Sequence, residues 1–219
     1  MIILVSVIFP HFSFQEVSVS TGEPVGTKQA IFIAAADLFA RNNYHHVSMK
    51  QIAAAVGIKA SSIYNHYPSK ESILLAIYQY FDDNMMRNSP DLDELLHLAE
   101  FENPREVMRK TNMVYPDEIL ETMARAMLVT TSMVHNDPRA DALVCKNFID
   151  MPFIYDIPLL EKMQALGRIE PIDPHHFALL HSSYCYSAAV RFYTNHAIST
   201  PDYFIGMDLL FQLIIPTCA

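Results

Sequence analysis

The chain has no tryptophan, five glycines and three cysteines in 219 residues. Cys145, Cys185 and Cys218 are odd in number, far apart and form no CxxC pair. That argues against a disulfide framework and points to a reducing, cytoplasmic setting. The sequence holds no Gly-rich phosphate loop, no nucleophile elbow and no HExxH motif, so the common signatures of catalysis are missing. The apolar stretch from Ile2 to Phe9 is too short to span a bilayer. It also lacks the basic flank and the small-residue cleavage site of a signal peptide. Residues 1–26 therefore read as an N-terminal extension: a disordered arm, a strand-like segment packed on a neighbour, or a misassigned start. No membrane attachment is expected, and no repeat or low-complexity segment is present.

What remains is apolar and helical in pattern. Hydrophobic residues make up 51% of the chain, enough at this length to bury a proper core. They recur at helical spacing, so the fold class is all-α. Proline and its preceding caps supply the punctuation. Asn103-Pro104, with Glu106 completing a capping-box pattern, opens one helix, and Pro116 opens another that reaches about Asn136. Asp137-Pro138 restarts it, and Pro152 and Pro158 are expected to interrupt the next segment, which Gly167 closes. Asp173-Pro174 opens a helix to Ala197, and Thr200-Pro201 opens the last, to about Ile215. Earlier, Thr27 to Asn42 forms a first helix with Ile31, Ala34, Ala35, Leu38 and Phe39 inward. Ser69 to Met86 forms another, with Ile73, Leu74, Ile77, Tyr78 and Phe81 inward.

The most informative stretch is VSMKQIAAAVGIKASSIYNHYPSK, Val47 to Lys70. Ser48 is an N-cap, Gln51 can close a capping box with it, and Val47 with Ile52 forms a hydrophobic staple. Gly57 follows at a turn that favours positive φ. A second short helix then runs to about Tyr67, stopped by Pro68, and Ser69 caps the next. Two short helices around a glycine turn are a helix-turn-helix, whose second helix can enter a DNA major groove. Its solvent side carries Lys59, Ala60, Ser61, Tyr64, Asn65 and His66, none of them acidic. A plain helical hairpin with a solvated face has the same generic pattern.

The charge distribution bears on that choice. The chain carries a net charge of −9, which is unexpected for a DNA binder. Yet residues 27–80 hold Lys28, Arg41, Lys50, Lys59 and Lys70 against only Asp37 and Glu71, a local net of +3. A basic head on an acidic body orients the molecule toward a polyanion.

From Thr27 to Phe81 the sequence resembles the DNA-binding domain of the tetracycline-repressor (TetR) family. The resemblance lies in IFIAAADLFARNN, then VSMKQIAAAVGI, then SSIYNHYPSKESILLAIY, and covers about a quarter of the chain. Asn43 stands at the usual glycine after the first helix, Lys59 at the usual small cap, and Ser61 at a frequent glycine. The resemblance implies an N-terminal three-helix helix-turn-helix domain over 27–72 and a larger helical effector-binding and dimerisation domain over 73–219. It implies a repressor that binds a near-palindromic, double-stranded operator as a homodimer and is released by a small-molecule effector. Ser48, Ser62, Tyr64, His66 and Lys70 would contact phosphates, Lys50, Ala60, Ser61 and Asn65 would face base edges, and Lys59 would reach either. The homodimer would form through residues 173–215, whose two helices are apolar nearly all round and hence buried on more than one side. Gly206, Ser187 and Ala188 would permit close helix approach.

Effector lining is expected from the Met and aromatic residues of the body, among them Met108, Met123, Met127, Phe148, Tyr155 and Tyr184. Flexible methionine suits a largely apolar ligand, although such stripes are also how a helical core reads. His175, His176, His181 and Cys185 raise a metal-responsive regulator as an alternative, with no full ligand set at a known spacing. Cys145 with His135 and Asp137 is the nearest approach to a catalytic constellation. A small helical enzyme is thus a further alternative, and neither an enzyme nor a cofactor is expected.

Overall fold

A computed structural model describes residues 26–111, 117–193 and 200–212. The extension before residue 26, Pro116, Leu213 to Ile215 and Cys218 lie outside the described residues. Ten α-helices are described: α1 (Thr27–Asn42), α2 (Met49–Val56), α3 (Lys70–Arg87), α4 (Leu92–Leu98), α5 (Pro104–Arg109), α6 (Asp117–Met133), α7 (Pro138–Val144), α8 (Met151–Ala165), α9 (Pro174–Tyr193) and α10 (Thr200–Gln212). No strand occurs among the described residues.

Helix starts follow the sequence closely because capping is a local interaction. The Ser48 hydroxyl accepts from the Gln51 amide at 3.3 Å, while Ser48 N–H donates to the Gln51 side chain at 2.8 Å. Ser69 does the same with Ser72. Asn103, Asp137 and Asp173 each accept a first-turn amide just beyond the following proline. Glu106 does not complete a capping box; its carboxylate binds Arg109 at 2.7 Å. Gly57 (φ +75°) and Gly167 (φ +66°) end α2 and α8 in the left-handed region, as their positions require.

One proline behaves differently from expectation. Pro158 lies inside α8, which runs unbroken through it. A proline here removes one hydrogen bond to the carbonyl four residues back. That residue, Ile154, is half exposed. The irregularity comes earlier, as a π-helical turn over Cys145–Asp150.

Two apolar cores fill the molecule. The first joins the N-terminal helices to the body: Ile31, Phe39, Ile52, Ile63, Ile77 and Phe81 pack with Met123, Met127, Met133 and Phe148. The second lies wholly in the body, around Met108, Tyr155, Leu159, Met163, Phe177 and Phe211. The head is therefore not a bead on a string. Arg125 of α6 is 3% exposed, and its Nε donates to Asp37 of α1 at 3.0 Å. Asp37 also accepts from Arg41, and Arg125 further pairs with Glu121. Helix α3 is tied down in turn. Arg139 bridges Glu71 at 3.0 Å and Asp137 at 2.9 Å, and the Tyr78 hydroxyl donates to Asp137 at 3.2 Å. Lys146 and Asn147 of the π turn both donate to Asp82.

Phe81 is fully buried and stacks on Phe148 with ring centroids 6.1 Å apart. Phe81→Ala should destabilise the chain by about 3–5 kcal/mol. Head and body should still melt together in denaturant, whereas loss of the body transition alone would contradict a shared core. A second expectation concerns pH. Hydrogen bonds from Arg139, working against burial, hold the Asp137 carboxyl below its ordinary value of 3.8. A depressed carboxyl stabilises the fold above its unfolded pKa, and that contribution is lost as pH falls through the folded one. The stability gap between wild type and Asp137→Asn should hold steady at neutral pH and shrink below about pH 4. A gap that urea melts show to be independent of pH would contradict the assignment.

Candidate nucleic-acid interface and effector region

The interface grows from the Ser48 cap. The capping box fixes where α2 starts, and Ile52 and Ala53 bury its inner face. Gly57 turns the chain, and Ile63 and Tyr67 anchor the following segment in the core. That segment is shorter than the helix the sequence suggests. It consists of a turn and a 3-10 helix over Ser62–Asn65, held by amides of Ser62 and His66 bonded three residues back. The reason is local. Lys59 and Ser61 contribute no side-chain cap, the residues Ser61, Ser62, Ile63 and Asn65 are modest helix formers, and Pro68 follows.

Around this turn, Ser48, Lys50, Lys59, Ala60, Ser61, Tyr64 and Asn65 are exposed, and Ser62, His66 and Lys70 are partly covered. Tyr64 is 54% exposed, which is unusual for a large aromatic without an outside partner. Lys70 is partly committed inward: its Nζ donates to the Tyr44 carbonyl at 2.8 Å and lies 4.2 Å from the Tyr44 ring centre. Burial lowers its pKa. An ammonium has three donors, and the carbonyl takes one of them. Asn43 has the positive φ expected of a glycine substitute (+66°), but its ψ of 142° is extended rather than left-handed helical. Its side chain accepts from the His45 amide at 3.1 Å.

The six effector-lining candidates divide between the two cores. Met123, Met127 and Phe148 belong to the core shared with the head. Met108 and Tyr155 belong to the body core, with Tyr184 packed against it. The Tyr155 hydroxyl is already used, donating to the Pro90 carbonyl at 2.8 Å. Tyr184 also explains Gly206. A Cβ at Gly206 would lie 2.2 Å from the Tyr184 hydroxyl, so this glycine serves a close approach within the subunit.

The body core contains a buried charged pair. His181 Nδ1 lies 2.6 Å from Asp156 Oδ2, with the residues 3% and 0% exposed. Burial opposes charge on His181, yet the Asp156 carboxylate overrides it and raises the imidazole pKa. Burial raises Asp156, with His181 pulling the other way. Among the described residues, no three His, Cys, Asp or Glu converge to hold a metal. His175 and His176 lie at the start of α9, where their amides bind Asp173. Cys145 contacts Asp141 at 3.9 Å rather than His135. Burial first, then the nearby carboxylates, pushes its thiol pKa up, away from nucleophilic reactivity.

No motif marked Arg125 or Asp156. Their shared signal is isolation: Arg125 is the one basic residue of α6, and Asp156 is an acid inside the apolar run MPFIYDIPLL.

Residues 31–77 match the family described as bacterial regulatory proteins, tetR family. HTH-type transcriptional regulator UidR of Escherichia coli (strain K12) is 28% identical over 75 residues, covering 34% of this chain and 38% of that protein. The chain thus matches about two fifths of that relative's length. HTH-type transcriptional regulator RutR of Escherichia coli O157:H7 is 23% identical over 154 residues, 70% of this chain and 69% of that protein. Ketosteroid transcriptional regulator KstR2 of Mycobacterium tuberculosis shares the fold with a TM-score of 0.63 at 15% identity, covering 89% of this chain and 98% of that one. A transcriptional regulator from Saccharomonospora viridis, solved in complex with choline, shares it with a TM-score of 0.55 at 19% identity, covering 86% and 97%. Residues 31–77, with the capped turn they contain, are thus similar to the DNA-binding domain of the tetR family of bacterial regulatory proteins, and the all-helical body shares its fold with these solved structures.

Proposed function

We propose that this protein is a cytoplasmic, ligand-responsive transcriptional regulator. It acts as a repressor, binds a near-palindromic operator as a homodimer, and is released by a small-molecule effector. The observation that carries the reading is the turn from Gly57 to Asn65, which presents Lys59, Ala60, Ser61, Tyr64 and Asn65 outward on a buried Ile63 and Tyr67. These side chains suit base edges and phosphates, and the local charge of the head is positive. Ser48, Ser62, His66 and Lys70 flank them as phosphate contacts, and Lys50 stands beside the base-facing group. Relatives named as HTH-type transcriptional regulators support DNA as the partner. The choline complex of a structural neighbour supports a small-molecule effector. Among the described residues, no helix is long and apolar enough to cross a membrane.

Dimerisation through α9 and α10 rests on what their outer faces expose. Leu179, Leu180, Ile205 and Leu209 are each more than half exposed. Isolated leucines on a surface are ordinary, but four on two adjoining helices form a patch that favours a partner. The two heads of a two-fold dimer would then meet major grooves about 34–36 Å apart, or a multiple of that spacing. Head movement would run through α3, which touches both the reading head and the ion pairs of α7 and the π turn. An effector can shift head spacing only by its different affinity for the two arrangements.

Asn65→Ala should change which operator base is preferred, while Lys59→Ala should weaken all sequences alike and reduce the salt slope by about one. Two variants that both leave DNA binding untouched would refute the interface. Lys70→Met tests a mixed role. It should weaken DNA binding and also destabilise the head by about 1–2 kcal/mol through the lost Tyr44 contact. Leu209→Glu, altering an exposed position, should give a folded monomer in sedimentation. A wild-type chain that is already monomeric at micromolar concentration would refute the dimer. Finally, operator DNA should weaken the effector by the same factor by which the effector weakens DNA.

A further inference from the structure

Residues 27–80 carry two acids, Asp37 and Glu71, and an arginine of the body meets each of them. Asp37 accepts from Arg125 of α6, and also from Arg41 of its own helix. Glu71 lies in the first turn of α3, directly after Lys70. Arg139 of α7 reaches it, with Nη2 donating to Glu71 Oε1 at 3.0 Å. The same guanidinium is held by its own helix. Its Nε donates to Asp137 Oδ1 at 2.9 Å, and Asp137 caps α7 and takes the Tyr78 hydroxyl. Asp137 is 6% exposed, whereas the Glu71 and Arg139 side chains are 58% and 48% exposed. Their charges reach the corner occupied by Lys70. Lys70 Nζ donates to the Tyr44 carbonyl. The Tyr44 hydroxyl has its pKa raised by burial first and then by Glu71, with Arg139 acting against both. An exposed ion pair of this kind adds little to stability. Its larger effect is on the field outside the protein, where a bare carboxylate beside Lys70 would repel a polyanion.

We propose that Arg139, a residue of the body, belongs to the DNA-binding surface: it neutralises Glu71, so that phosphates at the start of α3 meet no bare carboxylate. This rests on the reading of the chain as a DNA binder, and it extends the interface beyond the helix-turn-helix segment. Arg139 needs no contact with DNA for this role. Charges act on phosphates within about 10 Å at moderate salt, and they carry no base preference. Coulomb contributions add, so Arg139 and Glu71 act on DNA with opposite sign. The arrangement also gives the body a way to weaken DNA binding that does not depend on the spacing of two heads. A shift of α7 that parts Arg139 from Glu71 leaves a carboxylate facing the phosphates beside Lys70.

The test measures binding of the full chain to a short fluorescein-labelled duplex of random sequence, by anisotropy. At low salt, Arg139→Gln should weaken binding about threefold, the scale of one unit charge near phosphates in water. Glu71→Gln should tighten it by a similar factor, and the double variant should bind like the wild type. Both shifts should shrink as salt rises from about 0.05 M to about 0.2 M. A purely structural role predicts a different sign. Both substitutions cut the same bridge, so both would then weaken binding. Weaker binding by Glu71→Gln, or no change in either single variant, overturns the proposal. So does a loss in Arg139→Gln that the double variant fails to recover, which would mark Arg139 as a phosphate contact in its own right. Should Arg139→Gln fail to fold, the sign of the Glu71→Gln effect decides the matter. The DNA reading fails in a distinguishable way: the wild-type chain would bind no duplex even at low salt, and the proposal would fall with it. The proposal fails alone when wild-type binding is intact and the opposite signs are absent.

Discussion

The structure depends on a core that crosses from the N-terminal helices into the body. α1 and α3 lay their buried faces against α6, and Arg125 closes the contact by reaching a carboxylate on α1. A guanidinium that is 3% exposed is strongly destabilising unless its donors are met. Here Asp37 and Glu121 meet them, and Asp37 holds Arg41 as well. Removing Asp37 would strand a buried charge. The pair thus sets the position of α1 against α6 more sharply than apolar packing could, since apolar contacts tolerate sliding and a fixed fork of donors does not. The head can move only if α6 or α3 moves with it.

That arrangement shapes how a signal could travel. An effector of the kind proposed, held in the body core, would bear on α8, α9 and α10, whose residues form that core. The π turn lies between α7 and α8 and carries Lys146 and Asn147 to Asp82 of α3, while Phe148 stacks on Phe81. π turns inside helical segments are often found at functional positions. This one joins the second core to the first through one short irregular segment, a natural place for two discrete arrangements of the helices. Any coupling would be a free-energy difference between those arrangements and so bounded by the ligand's selectivity for one of them.

The helix starts, the Gly57 turn, the inward face of α3 and most of that of α1 were legible in the sequence, because capping boxes, staples and helical periodicity act within a few residues; on α1, Ala36 is buried where Ala34 and Leu38 are only partly covered. Ser48, Asp137 and Asp173 each cap where their local context places them. The second helix of the helix-turn-helix segment was only partly legible. Its Ile63 and Tyr67 anchors were clear, but Lys59 in place of a cap leaves a 3-10 turn instead of an α-helix. Pro158 misled for the opposite reason: a proline inside a pattern suggests a break, yet the packing of Leu159, Leu160 and Met163 keeps α8 intact. The division of Met123 from Met108 was not legible at all. Both are methionines on amphipathic helices, and only tertiary packing decides which core each enters. The same holds for Arg125 and Asp156, whose partners lie 88 and 25 residues away.

The shared core is tested most directly by native-state hydrogen exchange of the free protein. If α1 and α3 are built into the same cooperative unit as α6, their slowest amides should open with one free energy and respond alike to denaturant. Substituting Arg125 should lower that value for α1 and α6 together. Amides of α1 and α2 that open at a much lower free energy than those of α6, unchanged by substitution of Arg125, would show that the head folds and moves on its own and would contradict the coupling drawn from this structure.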